Sequence, residues 1–547
     1  MTNKMLHIVL SVVAIAGMIV AYVWNQKQTQ TSNLEKVFTT DSDTNQKYGV
    51  AAAHPEAVKV GMEILQEGGN AVDAAVAVSY ALGVVEPFGS GIGGGGTMLV
   101  HPNKEGEDPV VFDYRETASY EKSASHNGIG TPGLVKGMEL AHQKLGLLGR
   151  EKLIQPSIQL AEEGFEVTRM LSSRLRDSQW RLPVNSLPHF YPEGAPLKEG
   201  DLLVQHDLAE TLRAIQKNGE HVFYNGAIAQ HIEDQSNAVF VSDLKRYQAM
   251  QKKPIVLPYH NYTMYATEPP GGGVMLAQSL QMSERMGISE KKVLSADYIH
   301  LLGEIGKRVN ASRIKNMGDT HFVDVPVEQM LSTQYTNQLA ADIDLGSRSD
   351  TYKEFVDSLA DQENHDNTTH FVIVDRNGMM VSVTNTLSNF FGSGVYVDGF
   401  FLNNQLKNFS INNQSPNRFE QGKKSLSYTA PTIFSENGKP VLGIGSAGGN
   451  RITPVLTQVI IGALASDQSL QTVLDRTRFI VKDHLIYVEE DLPDKVKQEL
   501  EKMGYVIELR PTSLYYGGVQ AIRVDHEKNV IEGGYDKRRD GAFQFSQ

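Results

Sequence analysis

The chain has no cysteine among its 547 residues. That excludes disulfides, thiolate metal sites, a cysteine nucleophile and a cysteine-linked lipid anchor. Basic charge is also in short supply. Against 64 Asp+Glu there are 51 Lys+Arg, a net charge of −13. Phosphate backbones require basic surface, so nucleic acid is not an expected partner. No histidines stand at zinc-ligand spacing and no phosphate loop is present, so neither a metal nor a nucleotide cofactor is expected. What is abundant is glycine: 49 residues imply many tight turns and close backbone approaches. Hydrophobic content of 40% and charged content of 21% are globular values, and the length allows a large core in several domains.

The charge is unevenly distributed. From Thr368 to the end there are 19 Lys+Arg and 19 Asp+Glu, so this part is formally neutral. The preceding part holds 51−19 = 32 basic and 64−19 = 45 acidic residues, which accounts for the whole −13. Just before the break, residues 341–367 contain eight acidic and two basic residues with little periodicity. Such a run is expected to be a solvated, unfolded surface segment.

Residues 5–24, "MLHIVLSVVAIAGMIVAYVW", match the roughly 20 apolar residues that cross a bilayer as a helix. The segment lacks a small-x-small exit, which favours an uncleaved membrane anchor over a signal peptide, the alternative. A polar tether over 25–47 follows, and the catalytic body is expected outside the cytoplasm.

Folded structure is expected from about residue 48. "HPEAVKVGMEILQEGG" has Pro55 at a helix start and a Gly68-Gly69 stop. "NAVDAAVAVSYALGVVEP" restarts with Asn70 as N-cap and is apolar on nearly every face, the pattern of a buried helix. In "GSGIGGGGTML" the spacing G-x-G-x-x-G occurs, but it follows a helix rather than a strand. Close backbone packing beneath a site therefore explains these glycines better than a dinucleotide does. After Thr368, "FVIVD-RNG-MMVSVTNT" predicts a β-hairpin around Asn377-Gly378. Further strands are expected at "GVYVDGFFL", "APTIF", "VLGIGS", "LIYVEE", "YVIELR" and "GVQAIRV", and one helix at "ITPVLTQVIIGALA". Helices early and strands late, with strands apolar on both faces, predict an α+β fold of stacked sheets covered by helices.

Two hydroxyls, Thr368 and Thr369, stand where the acidic run meets the first of these strands. A cut between Asn367 and Thr368 would give Thr368 a hydroxyl and a free α-amine side by side. An α-amine titrates near about 7.7–8.0, so it can take the hydroxyl's proton. One residue then supplies nucleophile and base. His365 and His370 are too isolated for metal binding and read as structural.

The motifs "TTHFVIVDRNGMMVSVTNTLSNFFGSG", "FFLNNQL", "APTIF", "GIGSAGGNR" and "EGGNAVDAAVAVSYALGVVEP…GIGGGG" together resemble the γ-glutamyltransferase family over nearly all of the chain after residue 48. The resemblance implies an N-terminal-nucleophile (Ntn) hydrolase: an αββα sandwich made as a precursor that cuts itself. A large subunit, 48–367, and a small catalytic subunit, 368–547, would remain together as a heterodimer of cleavage products. It implies Thr368 as nucleophile, Thr386 as the threonine bonded to its hydroxyl, and Gly448 and Gly449 as the oxyanion hole. Arg115 would hold the donor's α-carboxylate, with Gln405, Asn408, Ser427 and Tyr428 lining the glutamyl pocket. Lys537, Arg538 and Arg539 resemble a basic segment bordering the site, where local charge would guide a carboxylate chain.

Three departures point to the donor. Family members that turn over glutathione have an aspartate where Asn408 stands, a second serine where Tyr428 stands, and an asparagine where Ser388 stands. An internal residue of poly-γ-glutamate offers an uncharged amide, which asparagine can bond without repulsion. The implied donor is therefore poly-γ-glutamate, with peptidoglycan, another amine or water as acceptor. Small γ-glutamyl peptides such as glutathione are the alternative donors, and a non-enzymatic, membrane-anchored surface protein that uses the fold for binding is the remaining reading.

Overall fold

Two antiparallel sheets, stacked face to face and covered by helices, make up the structure, a computed structural model that describes residues 47–121, 127–352, 357–358 and 367–546. In chain order the strands are β1 (Gly49–Ala52), β2 (Gly95–His101), β3 (Val110–Asp113), β4 (Met250–Lys252), β5 (Ile255–Tyr259), β6 (Tyr262–Ala266), β7 (Thr369–Val374), β8 (Met380–Thr386), β9 (Thr432–Glu436), β10 (Lys439–Ala447), β11 (Gly518–Asp525), β12 (Val530–Tyr535) and β13 (Ala542–Phe545). The first sheet runs β13-β1-β7-β8-β2-β3-β4 and the second β12-β11-β10-β9-β6-β5. Helices α1 (Pro55–Gln66) and α2 (Ala71–Val85) cover the first. Helices α3 (Gly273–Arg285), α4 (Ala296–Asn316) and α5 (Ile452–Ala465) cover the second. This is the expected αββα sandwich.

Strand β7 shows why the layers form. All six of its residues are buried. Phe371 and Ile373 enter the core beneath the helices, while Val372 and Val374 enter the layer between the sheets. A strand alternates its side chains with period two, so a run apolar at every position must be covered on both faces. Leu99, Val111, Ile433, Ile522 and Val524 complete the layer between the sheets. Helix α2 begins as its sequence requires. The Asn70 side chain accepts from the N–H groups of Val72 and Asp73 at 3.0 and 2.9 Å, and Asp73 accepts from Asn70 N at 3.0 Å. This reciprocal box satisfies donors that a helix end otherwise leaves open.

Thr368 immediately precedes β7, between β1 and β8 in the middle of the first sheet. That sheet takes β1–β4 from before Thr368 and β7, β8 and β13 from after it. The second takes β5 and β6 from before and β9–β12 from after. A boundary in composition is thus not a boundary in space.

Several expectations need adjustment. The hairpin between β7 and β8 forms around Asn377-Gly378, but five residues, 375–379, close it rather than the three of "RNG". Asp375 organises it, its Oδ1 accepting from Asn377 N and Met379 N at 2.8 and 3.1 Å, and of the expected pair only Gly378 has positive φ. The segment "GVYVDGFFL" forms only the two short strands Tyr396–Val397 and Phe400–Phe401. The acidic run is not a free tail where it is described. Asp342 pairs with the buried Arg308 at 2.9 Å, and Arg348 Nε donates to Gly504 O at 2.7 Å. The rest of that run (353–356 and 359–366, including His365), the proposed anchor at 5–24 and the tether up to residue 46 lie outside the described residues. Among the described residues, no helix is long and apolar enough to cross a membrane.

Candidate active site

Asn367 and Thr368 are both buried. The Asn367 amide donates to the carbonyl oxygens of Phe88 and Asn389, the latter at 2.8 Å. These bonds anchor the residue before the strand. The Thr368 hydroxyl donates to the carbonyl oxygen of Asn367, its own preceding peptide group. Thr386 Oγ1, at the end of β8, lies 3.3 Å from Thr368 Oγ1 and accepts from Ser388 N at 2.9 Å. Register brings the two threonines together, because β7 and β8 pair Asn385 with Thr369.

The glycine-rich stretch forms the ground under this pair, as expected. Gly94 packs so closely that any side chain on it would collide with the carbonyl of Thr386. Gly93 O accepts from Asn403 N and Asn403 Nδ2 at 3.0 and 2.9 Å, which ties the stretch to the loop carrying Gln405 and Asn408.

Above the pair opens a cleft of about 390 Å³. Its walls bring together seven of the expected residues: Asn367, Thr368, Thr386, Gln405, Asn408, Ser427 and Tyr428. Gly449 is also on the wall, at the start of the turn into α5. Gly448 does not line the cleft but precedes it, with φ of 133°, a conformation that glycine adopts without strain. The Ser427 and Thr429 hydroxyls lie 3.1 Å apart, and Asn408 is held by its carbonyl, which accepts from Asn417 Nδ2 at 2.7 Å.

Two further expected residues do not line the cleft. Arg115 is buried and forks onto Asp113, with Nε–Oδ1 3.1 Å and Nη2–Oδ2 2.8 Å, and it does not line the cleft. Burial alone would raise the Asp113 carboxyl, but Arg115, Lys424 and Lys252 hold it well below the usual carboxylate range. Arg539 is buried as well, and burial lowers its guanidinium to about 10. The neighbouring basic residues do not form a free guiding patch either. Lys537 pairs with Asp475 at 2.7 Å, and Arg538 with Glu489 at 2.6 Å and Asp536 at 3.2 Å. Three consecutive cations in sequence are thus neutralised or buried in the fold.

The structure adds residues to the neighbourhood that the sequence reading passed over. Asn450, Thr429 and Ile452 line the cleft. Glu86, the last residue of the α2 run, is buried near Asn367: a Cβ placed on Gly89 would touch Asn367 Oδ1 at 3.4 Å and Glu86 Cβ at 3.7 Å. Burial raises the Glu86 carboxyl to about 7, opposed by the neighbouring Thr369 and Arg539. An acid closing an otherwise apolar helix, "VVEP", was the visible signal. His370 is structural, as expected. Its Nδ1 is 2.9 Å from Thr384 Oγ1, and burial lowers it to about 3.

This geometry can support acyl transfer: a hydroxyl lies on a carbonyl, a second hydroxyl stands 3.3 Å from it, and Gly449 stands on the wall of the same cleft. Comparison with known proteins agrees. The γ-glutamyltranspeptidase family model matches residues 57–546. The capsule biosynthesis protein CapD proenzyme of Bacillus anthracis is 41% identical over 500 residues, covering 91% of each chain. The glutathione hydrolase proenzyme of Bacillus subtilis is 33% identical over 582 residues, covering 99% of this chain and 98% of that one. Among solved structures, a cephalosporin acylase from Bacillus halodurans superposes with a TM-score of 0.80 at 24% identity, over 91% of this chain and 96% of that one, and so shares its fold. The chain, an enzyme of γ-glutamyltransferase type, belongs to the γ-glutamyltranspeptidase family.

Proposed function

We propose that the chain is a proenzyme that cuts itself before Thr368 and then transfers γ-glutamyl groups from poly-γ-glutamate through an ester on that threonine. The observation that carries this is the Thr368 hydroxyl lying on the Asn367 carbonyl, with Thr386 Oγ1 3.3 Å away. In self-cleavage Oγ1 attacks the Asn367 carbonyl carbon, and the peptide nitrogen leaves as the α-amine of Thr368. Water then hydrolyses the ester and leaves Asn367 with a carboxylate. In turnover that amine takes the hydroxyl's proton while Oγ1 attacks a γ-carbonyl, with Gly448 and Gly449 as the oxyanion hole. The leaving amine departs with the proton, and an acceptor amine, such as one on peptidoglycan, or water releases the acyl group. The two cleavage products stay paired because both sheets are built from both.

Asn408 and Tyr428 on the cleft wall support the polymer as donor, since neither supplies a carboxylate for a free α-ammonium. The likeness to a capsule biosynthesis proenzyme supports it further. Turnover of small γ-glutamyl peptides is the second reading, supported by the likeness to a glutathione hydrolase over 99% of the chain. Incubating poly-γ-glutamate with wild-type protein and with Thr368→Ala, followed by size analysis, separates the two. Shortening by the wild type alone is expected. An unchanged polymer beside brisk glutathione turnover would establish the second reading instead.

The apolar segment at 5–24 and the polar tether after it support a membrane-anchored enzyme with its body outside the cytoplasm. Fractionated cells should then hold both pieces with the membrane. A body released into the medium, starting beyond the apolar segment, would show a cleaved signal peptide.

A further inference from the structure

Two backbone carbonyls hold the side chain of Asn367, the residue on the N-terminal side of the Thr368 peptide bond. Its Nδ2 donates to Phe88 O and, at 2.8 Å, to Asn389 O. An amide nitrogen carries two N–H donors, so both are used. Each acceptor is fixed in turn. Phe88 O also accepts from Phe391 N at 3.0 Å, and Asn389 O from Gly392 N at 2.8 Å. Asn389 N donates to Asn404 Oδ1 at 2.9 Å, next to Gln405. The carboxamide thus bridges the turn after α2 and the segment after β8. Its orientation follows from these partners, since exchanging N and O would set Oδ1 against two carbonyl oxygens.

This arrangement is not the cheapest way to fill the space. Asn367 is 1% exposed, and its Oδ1 has no hydrogen-bond partner among the described residues. A buried acceptor left unsatisfied destabilises a fold, and an apolar side chain would avoid that loss. On the other side of the bond, Thr368 leads directly into β7, which pairs with β1 and β8. The Asn367 carbonyl therefore lies between a side-chain clamp and a sheet strand, with the Thr368 hydroxyl on it.

We propose that Asn367 is a positioning residue for self-cleavage: its two amide hydrogen bonds hold the carbonyl before Thr368 in line for attack by Oγ1. The proposal rests on the self-cleavage reading. In that step Oγ1 bonds to the Asn367 carbonyl carbon, the C–N bond breaks, and the hydroxyl proton ends on the nitrogen that becomes the α-amine. None of these atoms belongs to the carboxamide, which acts through geometry. A misplacement of about 1 Å between reacting groups can cost about a hundredfold in rate. Once the bond is cut, Asn367 ends the large piece and a donor carbonyl takes the place of its own at Thr368. The clamp therefore serves the first reaction rather than the turnover that follows.

Asn367→Ala removes both bonds. Asn367→Asp keeps the shape but turns the donors into acceptors facing two carbonyl oxygens. The full chain would be made by cell-free translation and its self-cleavage timed on denaturing gels, with and without hydroxylamine at neutral pH, which cuts an ester but spares the amide. Both variants should cut about a hundredfold more slowly than wild type, and hydroxylamine should not restore them, because the slowed step comes before the ester. Turnover of a γ-glutamyl anilide by the fraction that does cut should lose about tenfold less than self-cleavage does, whereas a merely structural side chain would lower both alike. Cleavage within about threefold of wild type, recovery with hydroxylamine, or equal losses in the two rates would overturn the clamp. If the alanine variant does not accumulate, the near-isosteric aspartate variant decides. Wild type that stays whole on the same gels would instead mean that self-cleavage itself fails, and the clamp with it.

Discussion

Replacing Thr386 with valine removes one hydroxyl and almost no volume. Two interactions disappear: the 3.3 Å contact with Thr368 Oγ1 and the 2.9 Å bond from Ser388 N. Thr386 is 4% exposed, so water does not replace either partner. The orphaned Ser388 N–H should lower stability by roughly 1–3 kcal/mol. Ser388 also sits at φ +77°, a conformation a non-glycine residue holds only when its surroundings enforce it. For the chemistry, the hydroxyl faces an oxygen that gains charge as it attacks, and such bonds are worth about 1.5–3 kcal/mol. The rate should therefore fall roughly ten- to hundredfold. Self-cleavage would be followed on gels as a first-order rate, and turnover of a γ-glutamyl anilide measured on the cut fraction. Thr386→Ser keeps the hydroxyl and should remain near wild type. A valine variant that cuts itself and turns over donor within about twofold of wild type would refute the orienting role.

Self-cleavage should release a C-terminal piece of 180 residues (547−367) beginning Thr-Thr-His, and Thr368→Ala should remain one chain on a denaturing gel. Asn408→Asp should shift preference from polymer towards donors with a free α-ammonium by roughly 1–3 kcal/mol, read as the ratio of anilide to polymer turnover. Both rates falling together would remove Asn408 from donor selection. Glu86→Gln tests the buried acid. The Glu86 carboxyl is raised to about 7 from 4.5, so its contribution to stability is present below about pH 4.5 and is lost as pH rises through 7. Relative to wild type, and in the uncut Thr368→Ala background, the glutamine variant should gain roughly 3 kcal/mol between pH 4.5 and 8 by denaturant unfolding. A difference that stays flat over that range would mean Glu86 does not titrate there.

Local sequence determined the elements, and it did so where the physics is local. Asn70 and Asp73 cap α2 through bonds spanning three residues, and the apolar run from Phe371 to Val374 fits only a strand covered on both faces. The Thr368 motif singled out the Asn367–Thr368 bond, because the hydroxyl and the carbonyl it lies on belong to neighbouring residues. What the sequence could not determine was which side chains meet. Arg115 carries the right group for a carboxylate, yet its guanidinium lies on Asp113, two residues away, where Lys424 and Lys252 join from distant segments. Lys537, Arg538 and Arg539 look like one patch along the chain. Asp475, Glu489, Asp536 and burial leave two of them ion-paired and the third buried. The burial of Glu86 was equally hidden, although the acid itself is visible in the sequence, since burial arises only when residues far apart along the chain are packed together. Charge and hydrogen bonding act through space over a few ångströms, and only the tertiary structure decides which groups lie within that reach.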